Sequence, residues 1–94
     1  MNRILNCLIC DDEPHALELL QLYIEKTPFL QVQEAVTSPL QAMEVLRRGA
    51  TDLLFLDIQM DELSGLQLLD IAAPACPVIL TTAYPEYALK GYEY

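Results

Sequence analysis

At 94 residues the chain is long enough for one hydrophobic core and too short for two. Its composition, 53% hydrophobic and 20% charged, suits a folded globular domain and excludes a disordered tail. Five basic residues against fourteen acidic ones give a formal net charge of −9, which argues against direct nucleic-acid binding by this segment and favours divalent cations wherever acids converge.

The apolar run Ile4 to Cys10 breaks off at Asp11-Asp12-Glu13-Pro14, the pattern of a strand buried on both faces that emerges at an acidic loop. The run is too short to span a bilayer and no small-residue cleavage site follows it, so neither a membrane nor secretion is expected. Cys7, Cys10 and Cys76 make an odd count without zinc-ligand partners and are read as free, buried thiols in a reducing cytoplasm. From Pro14 to Lys26, Leu17, Leu20 and Ile24 recur at helical spacing until Thr27-Pro28 ends the pattern. His15 falls on the exposed start of this first helix.

Leu30 to Val36 alternates as an edge or half-buried strand does, and Ser38-Pro39-Leu40-Gln41 starts a second helix reaching about Arg48. Gly49 suits the left-handed conformation at its C-terminus. Leu53-Leu54-Phe55-Leu56 reads as a fully buried strand delivering Asp57. Leu63, Leu66, Leu69 and Ala73 form the stripe of a third helix, ended by Pro74 and Pro77. Val78-Ile79-Leu80 makes a fourth strand leading into Thr81-Thr82-Ala83, and a short final helix is expected over Pro85 to Lys90. There is no linker, repeat or low-complexity segment.

Strict alternation of strand and helix predicts an α/β fold, a doubly wound parallel sheet with right-handed crossovers and helices on both faces. Loops after the strand C-termini then share one edge, which brings Asp11, Asp12, Asp57 and Thr82 together. Converging carboxylates repel one another, raising a pKa or demanding a cation, and Mg2+ meets that demand. An aspartate oxygen there can attack phosphorus to form an acyl phosphate, with Thr82 as a hydroxyl donor. Each piece also has a plainer reading. The acids before Pro14 suit a helix cap, and Thr81 and Thr82 are ordinary strand residues. Tyr84, Tyr87, Tyr92 and Tyr94 either form a partner-binding patch or cover the sheet. Asp57, after four large apolar residues, requires a partner or a function.

These residues resemble response-regulator receiver domains of two-component systems. Asp11-Asp12-Glu13-Pro14 matches the acidic motif, Leu56-Asp57-Ile58-Gln59-Met60 the phosphoacceptor motif, Thr82-Ala83 the switch motif, and Gly65 the turn before the third helix. Thr81-Thr82-Ala83-Tyr84 with Tyr87-Ala88-Leu89-Lys90-Gly91-Tyr92 is similar to the subgroup that carries a LytTR-type DNA-binding domain. The resemblance covers essentially the whole chain and implies a flavodoxin-like (CheY-like) sheet of order 2-1-3-4. It implies Asp57 as the phosphorylated residue, Asp12 as a direct Mg2+ ligand, Asp11 as an acid acting largely through water, and the Gln59 carbonyl as a further ligand. Thr82 and the Ala83 amide would contact the phosphoryl group, which a sensor histidine kinase or a small phosphodonor supplies. It implies a cytoplasmic switch with at most weak self-phosphorylation and self-dephosphorylation, not an enzyme.

Two departures stand out. Asp61 occupies a position where the family has proline, and the sequence ends at Tyr94, before the family's fifth strand, its lysine and its fifth helix. Residues 1–94 are therefore expected to be a C-terminally incomplete receiver domain without an output domain. An open edge on the fourth strand would favour a homodimer or a domain-exchanged oligomer. Among alternatives, a haloacid-dehalogenase-type phosphatase would need an aspartate where Gln59 stands, and a flavin or nucleotide module would need a phosphate-cradling first loop. The main rival is a receiver-like interaction or dimerisation module that works without phosphorylation.

Overall fold

The computed structural model describes residues 3–60 and 63–81. Four strands and three helices alternate: β1 (Leu5–Cys10), α1 (Pro14–Glu25), β2 (Leu30–Val36), α2 (Pro39–Arg48), β3 (Leu53–Asp57), α3 (Gly65–Ala72) and β4 (Val78–Thr81). All pairings are parallel and the sheet order is β2-β1-β3-β4, as the alternation and the resemblance lead one to expect. The expected final helix over 85–90, the four tyrosines from Tyr84 on, Thr82, Ala83 and Asp61 lie outside the described residues. No helix among the described residues is long and apolar enough to cross a membrane.

The two-residue period of the strands sorts the core into two layers. Leu8, Cys10, Leu54 and Leu56 pack with Ala42, Val45, Leu68 and Leu69 of α2 and α3. Cys7 and Ile9 pack on the other face with Leu17 and Ile24 of α1. Each fully buried leucine or isoleucine contributes roughly 1.5–3 kcal/mol. β1 is buried on both faces as its sequence indicates. β3 is not: Leu54 and Leu56 are buried, whereas Leu53 and Phe55 are only half-buried on the α1 side. The unbroken apolar run did not distinguish these cases, because both faces carry the same residue types.

Helix starts follow local chemistry. Pro14 occupies the first helical position of α1, where its missing N–H costs nothing, and the Glu13 side chain accepts from the His15 N–H at 3.4 Å. Ser38 Oγ accepts from the Leu40 N–H at 3.2 Å, and Arg47 and Arg48 in the last turn of α2 offset the negative end of its dipole. α3 opens on a capping box, in which Ser64 and Gln67 each hold the other's backbone N–H.

Helix ends depart from expectation. Gly49 has positive φ (85°), but its ψ of −170° puts it in the glycine-only extended region rather than the left-handed helical well. The left-handed cap of α3 is Ala73 (φ 42°, ψ 60°), which no glycine announced.

β2 carries a one-residue bulge. Cys7 pairs with Val32 and Leu8 with Glu34, which leaves Gln33 as the extra residue. The Gln33 amide donates to the Gly49 carbonyl at 3.3 Å and accepts from Thr51 Oγ1 at 2.7 Å, and Glu34 pairs with Arg48 at 3.0 Å. At the opposite end of the sheet from the acids, Asp52 ties β3 to β1: its Oδ2 accepts the Asn6 N–H at 2.8 Å, and its Oδ1 pairs with Arg3.

Candidate functional site

The sheet delivers its acids to one edge because β1 and β3 are neighbours in parallel register, Cys10 lying opposite Leu56. The next residue of each strand path is an aspartate, Asp11 on one and Asp57 on the other. The Asp11 N–H continues the pairing to β2 through the Val36 carbonyl at 3.2 Å. Its side chain is buried, and Oδ1 accepts the Glu13 N–H at 2.9 Å, a contact that turns the chain into α1. Of the three acids before Pro14, then, Glu13 caps the helix, Asp11 shapes the turn, and Asp12 is left half-buried beside the site.

Asp57 closes β3 opposite Thr81 of β4, and the following Ile58 N–H reaches the Thr81 carbonyl at 3.4 Å. Asp57 Oδ1 accepts the Gln59 N–H at 3.1 Å, which fixes one carboxylate oxygen. Gly65 donates its N–H to the Ile58 carbonyl at 2.8 Å, so the start of α3 sits directly on the end of β3.

Asp11, Asp12 and Asp57 each offer a carboxylate oxygen within 4.8 Å of the others. The Asp57 pKa is pushed up to about 6. Burial is the main cause, the Gln59 N–H opposes it, and the negative charges of Asp11 and Asp12 add to it. Below them Cys10 is raised to about 12, by burial first and then by Asp11, Asp57 and Asp12. It is an inert thiol in contact with the Met60 sulfur at 3.6 Å, and Cys7 is likewise free and buried, while Cys76 is free and half-buried.

The donor set is hard and anionic, and among the described residues it has no positive partner, which fits an oxygen-seeking divalent cation such as Mg2+ and does not fit zinc or copper. The acids predicted from sequence are brought together, and Gln59 joins them through its backbone N–H. Thr82 and Ala83 follow directly on Thr81 in the chain but lie outside the described residues. Sequence reasoning missed the Ser64–Gln67 box that holds the start of α3 against Asp57. Its Ser-x-x-Gln spacing was a readable signal.

A family model for the response regulator receiver domain matches residues 7–93. The transcriptional regulatory protein BtsR of Escherichia coli strain K12 is 30% identical over 92 residues, covering 96% of this chain and 38% of that protein. An uncharacterized response regulatory protein of Vibrio cholerae is 32% identical over 96% of this chain and 39% of its own length. The chain thus spans well under half the length of these curated relatives. Among solved structures, response regulator TrrA of Thermotoga maritima in complex with Mg2+-BeF is 29% identical, with a TM-score of 0.77 over 89% of this chain and 74% of that one. A sensor protein from Polaromonas shares the fold at a TM-score of 0.80 and 23% identity, over 92% of this chain and 72% of that one.

Proposed function

The chain belongs to the response regulator receiver family, and from that premise we propose that it is a phosphoacceptor switch, phosphorylated on Asp57 with Mg2+ bound beside it. The observation that carries this reading is the convergence of Asp11, Asp12 and Asp57 within 4.8 Å, with Asp57 raised to about 6 by burial and by its acidic neighbours. In this reading Asp12 and Asp57 hold the cation directly, Asp11 acts largely through water, and the Gln59 carbonyl completes the protein ligands. When bound, Mg2+ neutralises the carboxylates and the phosphoryl charge.

The chain's own residues set up the transfer. The Gln59 N–H fixes Asp57 Oδ1, leaving Oδ2 as the attacking oxygen. Oδ2 bonds to phosphorus as the donor's nitrogen–phosphorus bond breaks, the nitrogen keeps the electron pair, and Asp57 becomes an acyl phosphate. Thr82 and the Ala83 amide receive the phosphoryl oxygens. The partner is a sensor histidine kinase in the cytoplasm, and the chain is a switch with at most weak self-phosphorylation and self-dephosphorylation, not an enzyme. Control of transcription is supported by the name of the transcriptional regulatory protein BtsR, and a LytTR-type DNA-binding output by the resemblance of the Thr81 to Tyr92 tract. Association of copies along the outer edge of β4 is a separate proposal. Its support is that this edge has no strand beside it among the described residues.

The test is intact-protein mass after incubation with phosphoramidate or acetyl phosphate and Mg2+. A phosphoryl adduct that disappears in Asp57→Asn supports the switch. No adduct on the unaltered chain sinks it and leaves the phosphate-independent interaction module.

A further inference from the structure

The chain leaving β3 runs Ile58-Gln59-Met60, and its burial alternates: Ile58 and Met60 are 2% and 9% exposed, whereas Gln59 lies in solvent between them. Gln59 nevertheless has two roles at the site. Its N–H holds Asp57 Oδ1 at 3.1 Å, and its carbonyl is the backbone ligand proposed for Mg2+. Its place is set by its two neighbours. Ile58 is fixed through the backbone, its N–H on the Thr81 carbonyl at 3.4 Å and its carbonyl under the Gly65 N–H at 2.8 Å. Met60 is fixed through its side chain, which enters the layer beneath α2 and α3 and whose sulfur lies 3.6 Å from Cys10 Sγ.

A methionine side chain turns about three bonds and fills irregular gaps, so it anchors a loop firmly only where its end is held. Cys10 offers a fixed point. It closes β1 in register with Val36 on one side and Leu56 on the other, it is fully buried, and Asp11 follows it directly. Its thiol is a weak donor with two acceptors in reach, the Met60 sulfur and, at 3.8 Å, the carbonyl of Ser38 at the start of α2. The two sulfurs thus tie the strand end that bears Asp11 to the loop that follows Asp57.

We propose that Cys10 and Met60 are a positioning pair whose sulfur contact fixes the Gln59 peptide, and with it both the backbone ligand for the cation and the N–H on Asp57. The inference rests on the phosphoacceptor reading and adds to it the groups that preset the loop. Neither residue touches the cation or the phosphoryl group. At saturating Mg2+ the Gln59 carbonyl is held by coordination, so the pair governs how much Mg2+ the site needs rather than how fast the loaded site reacts.

Amide-resolved NMR of the full chain, titrated with Mg2+ in the absence of a phosphodonor, tests it. In Cys10→Ala and in Met60→Leu the Gln59 amide resonance moves in the cation-free protein. The Mg2+ dissociation constant rises about three- to tenfold in each, the range of one net hydrogen bond. The double variant binds no more weakly than the weaker single one, because both substitutions remove the same contact. Phosphorylation by phosphoramidate at saturating Mg2+ keeps its rate within about twofold. Val45→Ala, in the same layer but on α2, loses at least as much stability in urea and leaves the Gln59 amide and the dissociation constant unchanged. Additive losses in the double variant, an unmoved Gln59 amide, or an equal loss of Mg2+ affinity in Val45→Ala overturns the proposal. An unaltered chain that binds no Mg2+ refutes the phosphoacceptor reading and this inference with it, whereas Mg2+ binding indifferent to Cys10→Ala and Met60→Leu refutes the inference alone.

Discussion

Gly65 lies against Asp57 with no room for a side chain between them. A β-carbon on Gly65 would stand 2.9 Å from Ile58 Cα and closer still to the Asp57 carbonyl oxygen. The first residue of α3 is thus in backbone contact with the residue expected to be phosphorylated.

Gly65→Ala tests that contact. In a free helix the exchange would favour folding by up to about 1 kcal/mol. Here the clash forces α3 away from β3, and we expect a net loss of about 1–3 kcal/mol in urea unfolding together with weaker Mg2+ binding. Unchanged stability would mean that α3 moves aside freely.

Cation binding should stabilise the fold. At a hundred times its dissociation constant, Mg2+ should add about 2.7 kcal/mol and raise the melting temperature by roughly 10–20 °C. Asp12→Asn and Asp57→Asn should each lose most of that gain in a thermal-shift titration. A gain preserved in both variants would place the cation elsewhere.

The raised Asp57 pKa gives the cation-free protein a pH dependence of definite sign. Asp57 titrates at about 6 in the fold against an ordinary aspartate value of 3.8 in the unfolded chain, so between those values the native chain holds more proton than the unfolded one. This group's contribution to stability therefore falls as pH rises from about 4 to about 6, and the fall is complete above that window. Asp57→Asn should flatten the profile measured in EDTA, and a profile identical in the variant would refute the cause assigned to the shift.

Asp52→Ala should separate stability from function. It removes the acceptor of the Asn6 N–H and the partner of Arg3, at the far end of the sheet from the acids. A loss of about 1–2 kcal/mol is expected, with Asp57 phosphorylation at saturating donor unchanged. Loss of the adduct in a variant that remains folded would show that the two ends of the sheet are coupled.

Much of this architecture was readable because its signals are local. Pro14 and Ser38 mark helix starts, and the apolar runs before Asp11 and Asp57 mark strands whose ends must meet once the sheet is parallel. What the sequence hid depends on distant partners. Nothing near Leu53 or Phe55 says that their face is less covered than that of Leu54 and Leu56. The left-handed turn at Ala73 has no local signal, since alanine has no preference for it. The extra residue at Gln33 emerges only when β2 is laid against β1.

That bulge resets the phase of β2. Before it, Leu30 and Val32 face α1, and after it Ala35 does, while Glu34 and Val36 turn toward α2. A strictly alternating strand would send Val36 to the wrong layer and Ala35 into its place. The bulge is therefore what lets a strand one residue too long keep both layers in register. Substitutions at Gln33 are repairable at the surface, and deleting it would erase the bulge while leaving Leu30, Val32 and Ala35 toward α1 and Val36 toward α2, so that the Val36 carbonyl on which the Asp11 N–H rests keeps its place.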